Sequence, residues 1–332
     1  MNNKSFERQP TLTTVTALIL LLSIAFPASS GAADVNSCFV RKMMGYSQVG
    51  TNLPVVRPNP FSFAADAYAD SSDALREGWI RSPGGTNRPV VWATQQYRLP
   101  SFSFREDFAT QGSMDAVYPG GSYTIELLTA HDGNRTNTLE LPLGGFPQSP
   151  WLRNLDAAQG MDPRADFSFT WTSFTGATAA DEIQFQLWQQ GNPGTLVFSA
   201  DPFYPATNTF ILVPRNTLLY GTGYVGFLVF VKVVQSDTGS YPGARLLSAY
   251  DSFTLFTFRT RPPPSLRITI NDQIATLAWP LFYDSWLLQE LDDPSRPEAG
   301  RLVEKPVVPV GDSYNVTVPA TNHSSFYRLI HN

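Results

Sequence analysis

The sequence predicts an all-β protein made of tandem β-sandwich domains. The clearest pattern lies at 166–260, where Phe167, Phe169 and Trp171 alternate with polar residues at the two-residue period of a strand. Frequent turn residues, 27 Pro and 23 Gly, separate short apolar runs along the chain. Charged residues make up only 15% of the 332 residues, below the roughly 25% of a typical soluble protein. Together these features favour a β-rich chain with many turns over a helical one.

The N-terminus predicts an export signal. Positively charged residues precede an apolar stretch at 12–26, and small residues follow it. This order predicts a signal peptide over 1–33, with cleavage between Ser30 and Asp34. An uncleaved anchor helix is the alternative, although the apolar stretch is shorter than the ~20 residues that span a bilayer. No later apolar run reaches that length. We therefore expect a secreted protein, extracellular or periplasmic, with no transmembrane helix in the mature chain.

Residues 34–146 are predicted to form an N-terminal β domain. Its candidate strands, separated by Pro- and Gly-rich breakers, are 38–49, 61–68, 78–81, 90–97, 102–104, 123–129 and 138–141. Asp132-Gly133 lies between two alternating runs and predicts a hairpin turn. A short helix is expected at 70–77 and a single helical turn near 113–117.

A Gly- and Pro-rich stretch at 142–150 marks a boundary, and 150–261 is predicted to form a second β-sandwich. Its seven candidate strands are 151–155, 167–172, 183–189, 196–199, 209–213, 224–234 and 253–259. Along 183–189 the apolar Ile, Phe and Leu point one way, and Trp188 points the other way with two glutamines. The run 224–234 is apolar on both faces, which predicts a central strand or one covered by a neighbouring domain.

Two motifs in this middle segment carry a family resemblance. Trp171 comes late in the second predicted strand, and L-L-Y-G-T-G-Y occupies 218–224 before the sixth. Over about 150–260 the segment resembles a fibronectin type III domain of the divergent kind found in secreted bacterial proteins. The resemblance implies an immunoglobulin-like sandwich with Trp171 and Tyr224 in its core, and Tyr224 as the tyrosine corner. Tyr220 departs from the family pattern, which has a proline at that place.

A triple proline at 262–264 predicts a stiff linker before a small C-terminal β domain at 265–332. The candidate strands of this domain are 266–270, 274–279, 286–291, 302–310, 314–318 and 326–330. The runs L-A-W-P, L-L-Q-E-L, Y-N-V-T-V-P and F-Y-R-L resemble a C-terminal β module that recurs at the ends of secreted bacterial proteins, of the type W…LQ…VTVP…FYRL. Alternation places Trp279 in the core, and the small size predicts docking on the middle domain.

Charge and metal-binding side chains argue against several classes of function. The formal net charge of -5 predicts no nucleic-acid partner. His131, His323 and His331 lie far apart in sequence, outside any metal-ligand spacing. Cys38 is the only cysteine, so the chain has neither an internal disulfide nor a thiolate zinc site, and Cys38 is interpreted as a small apolar strand residue. We predict no cofactor, no metal and no catalytic residues.

Paired carboxylates leave one enzymatic alternative open, a glycoside hydrolase. Glu126 and Glu140 flank the predicted hairpin and could face each other. The further candidates are Glu182, Glu290 and Asp292. The acidic groups Asp66, Asp70, Asp73 and Asp292-Asp293 do not match a calcium loop, and they are interpreted as solvated loop residues, with Asp70 as a helix N-cap.

Trp188 is the candidate ligand contact, because it points away from the predicted core. It is expected either to pack against a neighbouring domain or to touch a sugar or a protein. The sequence thus predicts a secreted, non-catalytic binding or structural protein with an unknown protein or glycan partner. The alternative is a carbohydrate-binding protein that uses a row of exposed aromatic rings. A further alternative is a secreted hydrolase with two carboxyl groups in one cleft.

Overall fold

The computed structural model describes residues 33–97, 99–191, 194–200, 203–283, 285–320 and 325–331, with the backbone alone at 92–97, 99 and 100. The predicted signal peptide, apart from Ala33, lies outside the described residues. Within these ranges the chain is all-β, with five sheets and two short α-helices, which confirms the predicted fold class. No described helix has the length and apolar character needed to cross a bilayer.

The N-terminal part supplies eight strands and one helix. They are β1 (Val35–Gln48), β2 (Val55–Ala69), β3 (Leu75–Arg81), β4 (Asn87–Pro89), β5 (Val91–Tyr97), β6 (Leu99–Phe108), α1 (Gln111–Val117), β7 (Gly121–Thr129) and β8 (Asn134–Leu141). The hairpin between β7 and β8 turns at Asp132-Gly133, as predicted. Thr110 caps α1, because its Oγ1 accepts the backbone N–H of Ser113 at 3.1 Å.

The middle part supplies seven strands and one helical turn. They are α2 (Leu155–Ala158), β9 (Phe167–Thr170), β10 (Glu182–Gln189), β11 (Thr195–Ser199), β12 (Tyr204–Pro205), β13 (Phe210–Val213), β14 (Gly223–Asp237) and β15 (Arg245–Arg259). Strands β13 and β9 form a short sheet, and their Phe169 packs on Phe185 of β10 at a ring-centroid distance of 5.2 Å. This two-layer arrangement is a β-sandwich, the architecture that the resemblance implies.

The N-terminal and middle parts share one nine-stranded sheet. Its order is β11-β10-β14-β15-β1-β2-β6-β5, with β12 attached to β10. β1 pairs in parallel with β15, from Ser37 opposite Arg245 to Gln48 opposite Phe256. Strands β14 and β15 are each 15 residues long, beyond the 3–10 residues of most strands, and so extend past the middle sandwich. The hydrogen-bonded sheet therefore joins strands that precede the predicted boundary at 142–150 to strands that follow it. The domain limits themselves stay a prediction.

Two smaller sheets cover this long sheet, and both lie on the same face of it. One has the order β4-β3-β7-β8, and the other pairs β13 with β9. On β15, the even-numbered Tyr250 belongs to the apolar core under β3, β7 and β8, and the even-numbered Phe256 belongs to the core under β9 and β13. Odd-numbered residues of β15, such as Ala249 and Phe253, point to the opposite face. We call this opposite face the inner face. Its apolar cluster is formed by strands of the same sheet together with Phe203.

The C-terminal part forms a separate small sandwich. Its strands are β16 (Arg267–Asn271), β17 (Ile274–Pro280), β18 (Trp286–Leu291), β19 (Arg301–Leu302), β20 (Val308–Val310), β21 (Ser313–Pro319) and β22 (Phe326–His331). The two sheets, ordered β16-β17-β21-β20 and β19-β18-β22, enclose Leu277 and Val316. Trp286 contacts Tyr220 of the middle part at a ring-centroid distance of 5.7 Å, so the small sandwich packs on its neighbour.

Three local predictions were wrong. The strand expected at 302–310 is split into β19 and β20, which belong to the two different sheets of the C-terminal sandwich. The helix expected at 70–77 is instead a turn followed by β3, because Ser71 bonds the Asp73 carboxylate while Leu75 enters the core. The strand expected at 151–155 is reduced to one bridge from Leu152 to the second predicted strand. The amide of Gln48 explains this, because it bonds both the N–H and the C=O of Leu152, at 2.9 and 2.7 Å, in place of a neighbouring strand.

Candidate functional site

A polar cavity of about 90 Å³ lies on the inner face of the nine-stranded sheet. Six strands contribute to its lining, from β10 on one side to β6 on the other. In a flat sheet β10 and β6 would stand five strand spacings apart, or about 24 Å. Because both strands line one small cavity, the sheet must curl strongly around its inner face. The cavity is thus assembled from the N-terminal and the middle parts together.

Three charged side chains form the centre of the cavity. The guanidinium of Arg41 donates to Asp66 Oδ2 at 2.5 Å and to Asp251 Oδ2 at 3.4 Å. Ser103 donates to the other oxygen of Asp66 at 2.9 Å. Asp251 is fully buried, and its Oδ1 has no hydrogen-bond partner among the described residues. A buried carboxylate oxygen without a donor is costly, which makes this atom the strongest indication of a ligand in the cavity.

Apolar side chains and two glutamines complete the lining. Phe227 and Val229 of β14 stand beside Gln184 and Gln186 of β10. The cavity therefore presents amide groups and a carboxylate next to an apolar wall. This composition is typical of small ligand sites, in which a few polar groups fix the orientation of a mostly apolar contact.

The rim of the cavity carries Phe253, which needs a glycine opposite it. Gly45 pairs with Phe253 across β1 and β15, and a Cβ on Gly45 would stand 2.6 Å from the ring. The guanidinium groups of Arg57 and Arg105 lie 5.7 and 5.9 Å from the ring centroid. Arg105 also pairs with Asp107 at 3.0 Å, so its charge is compensated locally.

The pKa of Asp251 is the main electrostatic feature of the cavity. Burial raises this pKa from its ordinary 3.8 to about 6, with Arg41 acting in the opposite direction and Asp66 adding to the rise. Arg41 does not fully offset the loss of hydration, because Asp66 shares the same guanidinium. Asp251 is therefore largely ionised at neutral pH and protonated in mild acid.

Replacing Asp251 by asparagine is expected to change the pH dependence of stability. The folded protein holds the Asp251 proton more tightly than the unfolded chain does, so this carboxyl favours folding as the pH falls from 7 towards 4. Relative to Asp251→Asn, the wild-type protein should gain up to about 3 kcal/mol of unfolding free energy over that interval. Urea denaturation of both proteins at several pH values measures the difference. The exposed Asp312→Asn serves as control, and a wild-type curve parallel to the Asp251→Asn curve would contradict the raised pKa.

The four aromatic residues singled out in the sequence occupy three places: Trp171 and Tyr224 share the core of the middle sandwich, Trp279 lies in the C-terminal core and Trp188 lies on the inner face. Trp171 is 3% exposed, stacks near Phe185 and donates Nε1–H to the backbone at 2.9 Å. Tyr224 is fully buried, and its hydroxyl accepts the N–H of Leu219 at 2.8 Å, the geometry of a tyrosine corner. Trp279 is buried in the C-terminal sandwich.

Trp188, the predicted ligand contact, lies on the inner face of β10. It is half-buried, and its Nε1–H donates to the Gln186 side chain at 3.4 Å. Gln186 in turn lines the cavity. The structure thus places Trp188 one inward-facing position from the cavity wall.

The carboxylates proposed for hydrolysis do not assemble as expected. Glu126 lies opposite Thr136 and Glu140 opposite Ser122, so the two glutamates do not face each other across the hairpin. The register of β7 and β8 causes this, because it offsets the two positions along the strands. Glu290 and Asp292 belong to the C-terminal sandwich, where both bind Arg301.

The remaining candidate groups are structural or dispersed. Asp66 lies in the cavity, away from the turn that holds Asp70 and Asp73, and the described ranges contain no group of three or more potential metal ligands. His131 bonds Asp34 at 2.7 Å, while His323 lies outside the described residues. Cys38 is buried in β1, and burial, aided by Asp66, raises the pKa of its thiol to about 12. That thiol is a core residue.

Sequence reasoning missed Arg41 and Asp251 as a site. One signal pointed to them: Asp251 is a lone charge inside a run of apolar and small residues in β15, and Arg41 belongs to the Arg41-Lys42 pair in an otherwise uncharged β1. Charged residues are almost never fully buried unless they are paired. Their meeting depends on the parallel pairing of two strands that are 210 residues apart in this contact, and local patterns do not encode it.

The comparisons with known proteins do not assign this chain to a family. No protein family and no curated protein matches the sequence. Among solved structures, the FN1-FN3 domains of chicken CNTN1 align with 86% of this chain and 88% of their own, at 7% identity and a TM-score of 0.22. Trypsin-activated alpha-2-macroglobulin from Escherichia coli aligns with 91% of this chain at 10% identity and a TM-score of 0.22, and only 24% of its own length is covered. At a TM-score of 0.22, neither superposition supports a conclusion about this chain. The strand pairing described above defines its fold.

Proposed function

We propose that this protein is a non-catalytic binding protein whose ligand enters the inner-face cavity. The observation that carries the proposal is Asp251, a fully buried residue that lines the cavity and whose Oδ1 lacks a donor among the described residues. A ligand that donates a hydrogen bond to this atom would remove the penalty of leaving it unpaired. The site draws residues from two parts of the chain, so a shared sheet serves binding as well as stability.

The arrangement of the carboxylates favours binding over hydrolysis. Glycoside hydrolases need one carboxyl group as acid and another as base or nucleophile, on either side of the scissile bond. In the cavity, Arg41 contacts both Asp66 and Asp251, and both oxygens of Asp66 accept hydrogen bonds. Both oxygens of Asp66 thus already accept a donor, and Asp66 is interpreted as a structural partner of Arg41.

The size of the cavity limits what it can enclose. A cavity of about 90 Å³ exceeds the ~10–15 Å³ needed for one water and is smaller than the ~150 Å³ that encloses a benzene. A whole sugar ring, with twice as many heavy atoms as benzene, would not fit. We therefore infer that the cavity receives the head group of a ligand.

The carbohydrate alternative has less support. Flat sugar faces bind to exposed aromatic rings that are arranged in a row. The exposed tryptophan and phenylalanine side chains in the described ranges are Trp79 in β3, Phe210 in β13, Phe282 after β17 and Phe326 in β22. These rings belong to four different segments.

We also propose that the protein is exported. The predicted signal peptide over 1–33 supports export, and N-terminal sequencing of the mature protein would test it. We also propose that the middle part and the C-terminal part are divergent modules of the kinds found in secreted bacterial proteins. The support for this is the motif at 218–224 and the run F-Y-R-L at the end of the chain.

A fragment titration tests the binding function. Ligand-detected NMR would be run with simple amines, alcohols, amides, carboxylates and monosaccharides on the full chain. Ala64 lines the cavity, so Ala64→Phe should fill it and remove binding of whichever class is recognised, while the exposed Asp312→Asn should not. Asp251→Asn provides a second variant if Ala64→Phe folds poorly. Wild-type protein that binds no class better than Ala64→Phe and Asp251→Asn do, or that hydrolyses glycosides in an Asp251-dependent way, would overturn the proposal.

A further inference from the structure

The charges at the bottom of the cavity do not balance. Arg41 contributes one positive charge, and Asp66 and Asp251 contribute two negative charges. The neighbouring charged groups are paired among themselves. Arg105 contacts Asp107 at 3.0 Å, and Arg245 contacts Glu182 at 2.8 Å. The three side chains Arg41, Asp66 and Asp251 therefore carry together an excess of one negative charge, and they are largely buried.

A buried uncompensated charge is expensive, and a bound cation would offset it. Arg57 does not fill this role, because it lies against the ring of Phe253 and does not line the cavity. Arg105 lines the cavity, but its side chain is 47% exposed and already paired, so water screens its charge. Arg41 and Arg105 are the cationic residues of the lining, so a bound cation would supply the missing positive charge when Asp251 is ionised.

The hydrogen-bond acceptors in the cavity suit one kind of cation. Asp251 Oδ1 is a buried acceptor with no donor, and the side-chain amides of Gln184 and Gln186 lie on the same cavity wall. A primary ammonium group carries three donors and no acceptor. Asp251 Oδ1 can receive one of these donors, and the side-chain oxygens of Gln184 and Gln186 are further neutral acceptors in the lining, although Gln186 already accepts the Nε1–H of Trp188.

The apolar wall suits the rest of such a ligand. Met43, Phe227 and Val229 line the cavity beside the polar groups. An alkyl chain packs on such a wall while its charged end reaches a polar group, as lysine side chains do. The volume of about 90 Å³ is below that needed for an aromatic ring, so the cavity receives the ammonium group and its first carbons while the rest of the alkyl chain stays outside.

We propose that the inner-face cavity binds a primary ammonium group on a short alkyl chain, held by Asp251, Gln184 and Gln186. This inference rests on the proposed binding function and adds the chemical class of the ligand. The same chemistry occurs in a free alkylamine and in a lysine side chain of a protein partner. The two sources are separated by the experiment.

Isothermal titration of the full-length protein with n-butylammonium and with n-butanol tests the charge requirement. We expect n-butylammonium to bind at least about tenfold more tightly than n-butanol, because only the cation makes a charge-assisted bond to Asp251. Asp251→Asn should weaken n-butylammonium binding by about tenfold or more, and Gln184→Met by a smaller factor. The exposed Asp312→Asn should leave the affinity unchanged. Thermal melts of each variant establish that it is folded.

A second titration compares lysine with norleucine, each blocked (capped) at its α-amino and carboxyl groups. The two compounds differ only in the side-chain ammonium group of lysine. Capped lysine that binds at least as tightly as n-butylammonium supports a protein side chain as the ligand. Binding of n-butylammonium alone supports a free amine. Equal binding of n-butylammonium and n-butanol, or n-butylammonium binding that survives Asp251→Asn, overturns the ammonium assignment. If neutral fragments still bind and Ala64→Phe abolishes that binding, the proposed binding function stands and only the ammonium assignment is lost. Absence of binding by every fragment class overturns both.

Discussion

Replacing Asp115 by alanine is expected to lower the free energy of unfolding by about 3–5 kcal/mol. Lys42 of β1 is fully buried, and its Nζ lies 2.6 Å from Asp115 Oδ1 at the end of α1. Without that carboxylate, the ammonium stays buried with no opposite charge to offset its lost hydration. Urea denaturation at neutral pH, followed by circular dichroism, measures the change.

Two control variants separate this effect from the loss of any ion pair. Glu126→Ala breaks the exposed contact between Arg81 and Glu126 at 3.1 Å, and we expect it to cost less than about 1 kcal/mol. The double variant Lys42→Met with Asp115→Leu removes both charges and should recover most of the stability. A cost for Asp115→Ala no larger than that for Glu126→Ala would show that the Lys42 ammonium reaches water.

The strands were largely predictable because their signal is local. Alternation of apolar and polar residues depends only on neighbours in sequence, and it located β10 and β17 with small boundary errors, while an unbroken apolar run located β14. The same alternation placed Trp171 and Trp279 at inward positions. The errors at 70–77 and 151–155 arose where a side chain, Asp73 or Gln48, satisfied the backbone or fixed a turn in a way that periodicity does not register.

The cavity was not predictable because every part of it depends on distant pairing. Arg41 meets Asp66 across 25 residues and Asp251 across 210, through two different neighbouring strands. Asp66 is instead predicted from the sequence to lie in a solvated acidic loop, since Asp70 and Asp73 follow closely. Only the register of β1 with β2 and β15 brings these side chains to one face. Sheet register and parallel pairing therefore determine the site.

The shared sheet couples the site to the stability of both parts of the chain. Gln184, Phe227 and Asp251 come from the middle part, whereas Arg41 and Asp66 come from the N-terminal part. Opening the pairing between β1 and β15 would pull these two groups apart. A variant that opens the pairing between β1 and β15 should thus also weaken binding, even when it lies far from the cavity.

Replacing Trp171 by alanine is expected to lower the free energy of unfolding by about 3–5 kcal/mol. Trp171 is 3% exposed, its ring lies 5.9 Å from that of Phe185, and its Nε1–H bonds the carbonyl of Asn208. Alanine would leave a large cavity between the two layers of the middle sandwich and a carbonyl without its donor. Urea denaturation measures the loss, with Trp79→Ala as the matched control. Trp79 is 40% exposed, so its removal should cost about 1 kcal/mol or less.

The Trp171→Ala variant also tests whether the two parts unfold as one unit. β15 lies in the middle core at Phe256 and in the N-terminal core at Tyr250, so disrupting one core should destabilise the strand that both share. Native-state hydrogen exchange at the amides that pair β1 with β2 should therefore accelerate in Trp171→Ala by the factor that corresponds to the global loss of stability. Unchanged protection of these amides would mean that the long sheet breaks between β15 and β1 before either sandwich unfolds. The cavity would then open at that seam, because Arg41 and Asp251 lie on its opposite sides.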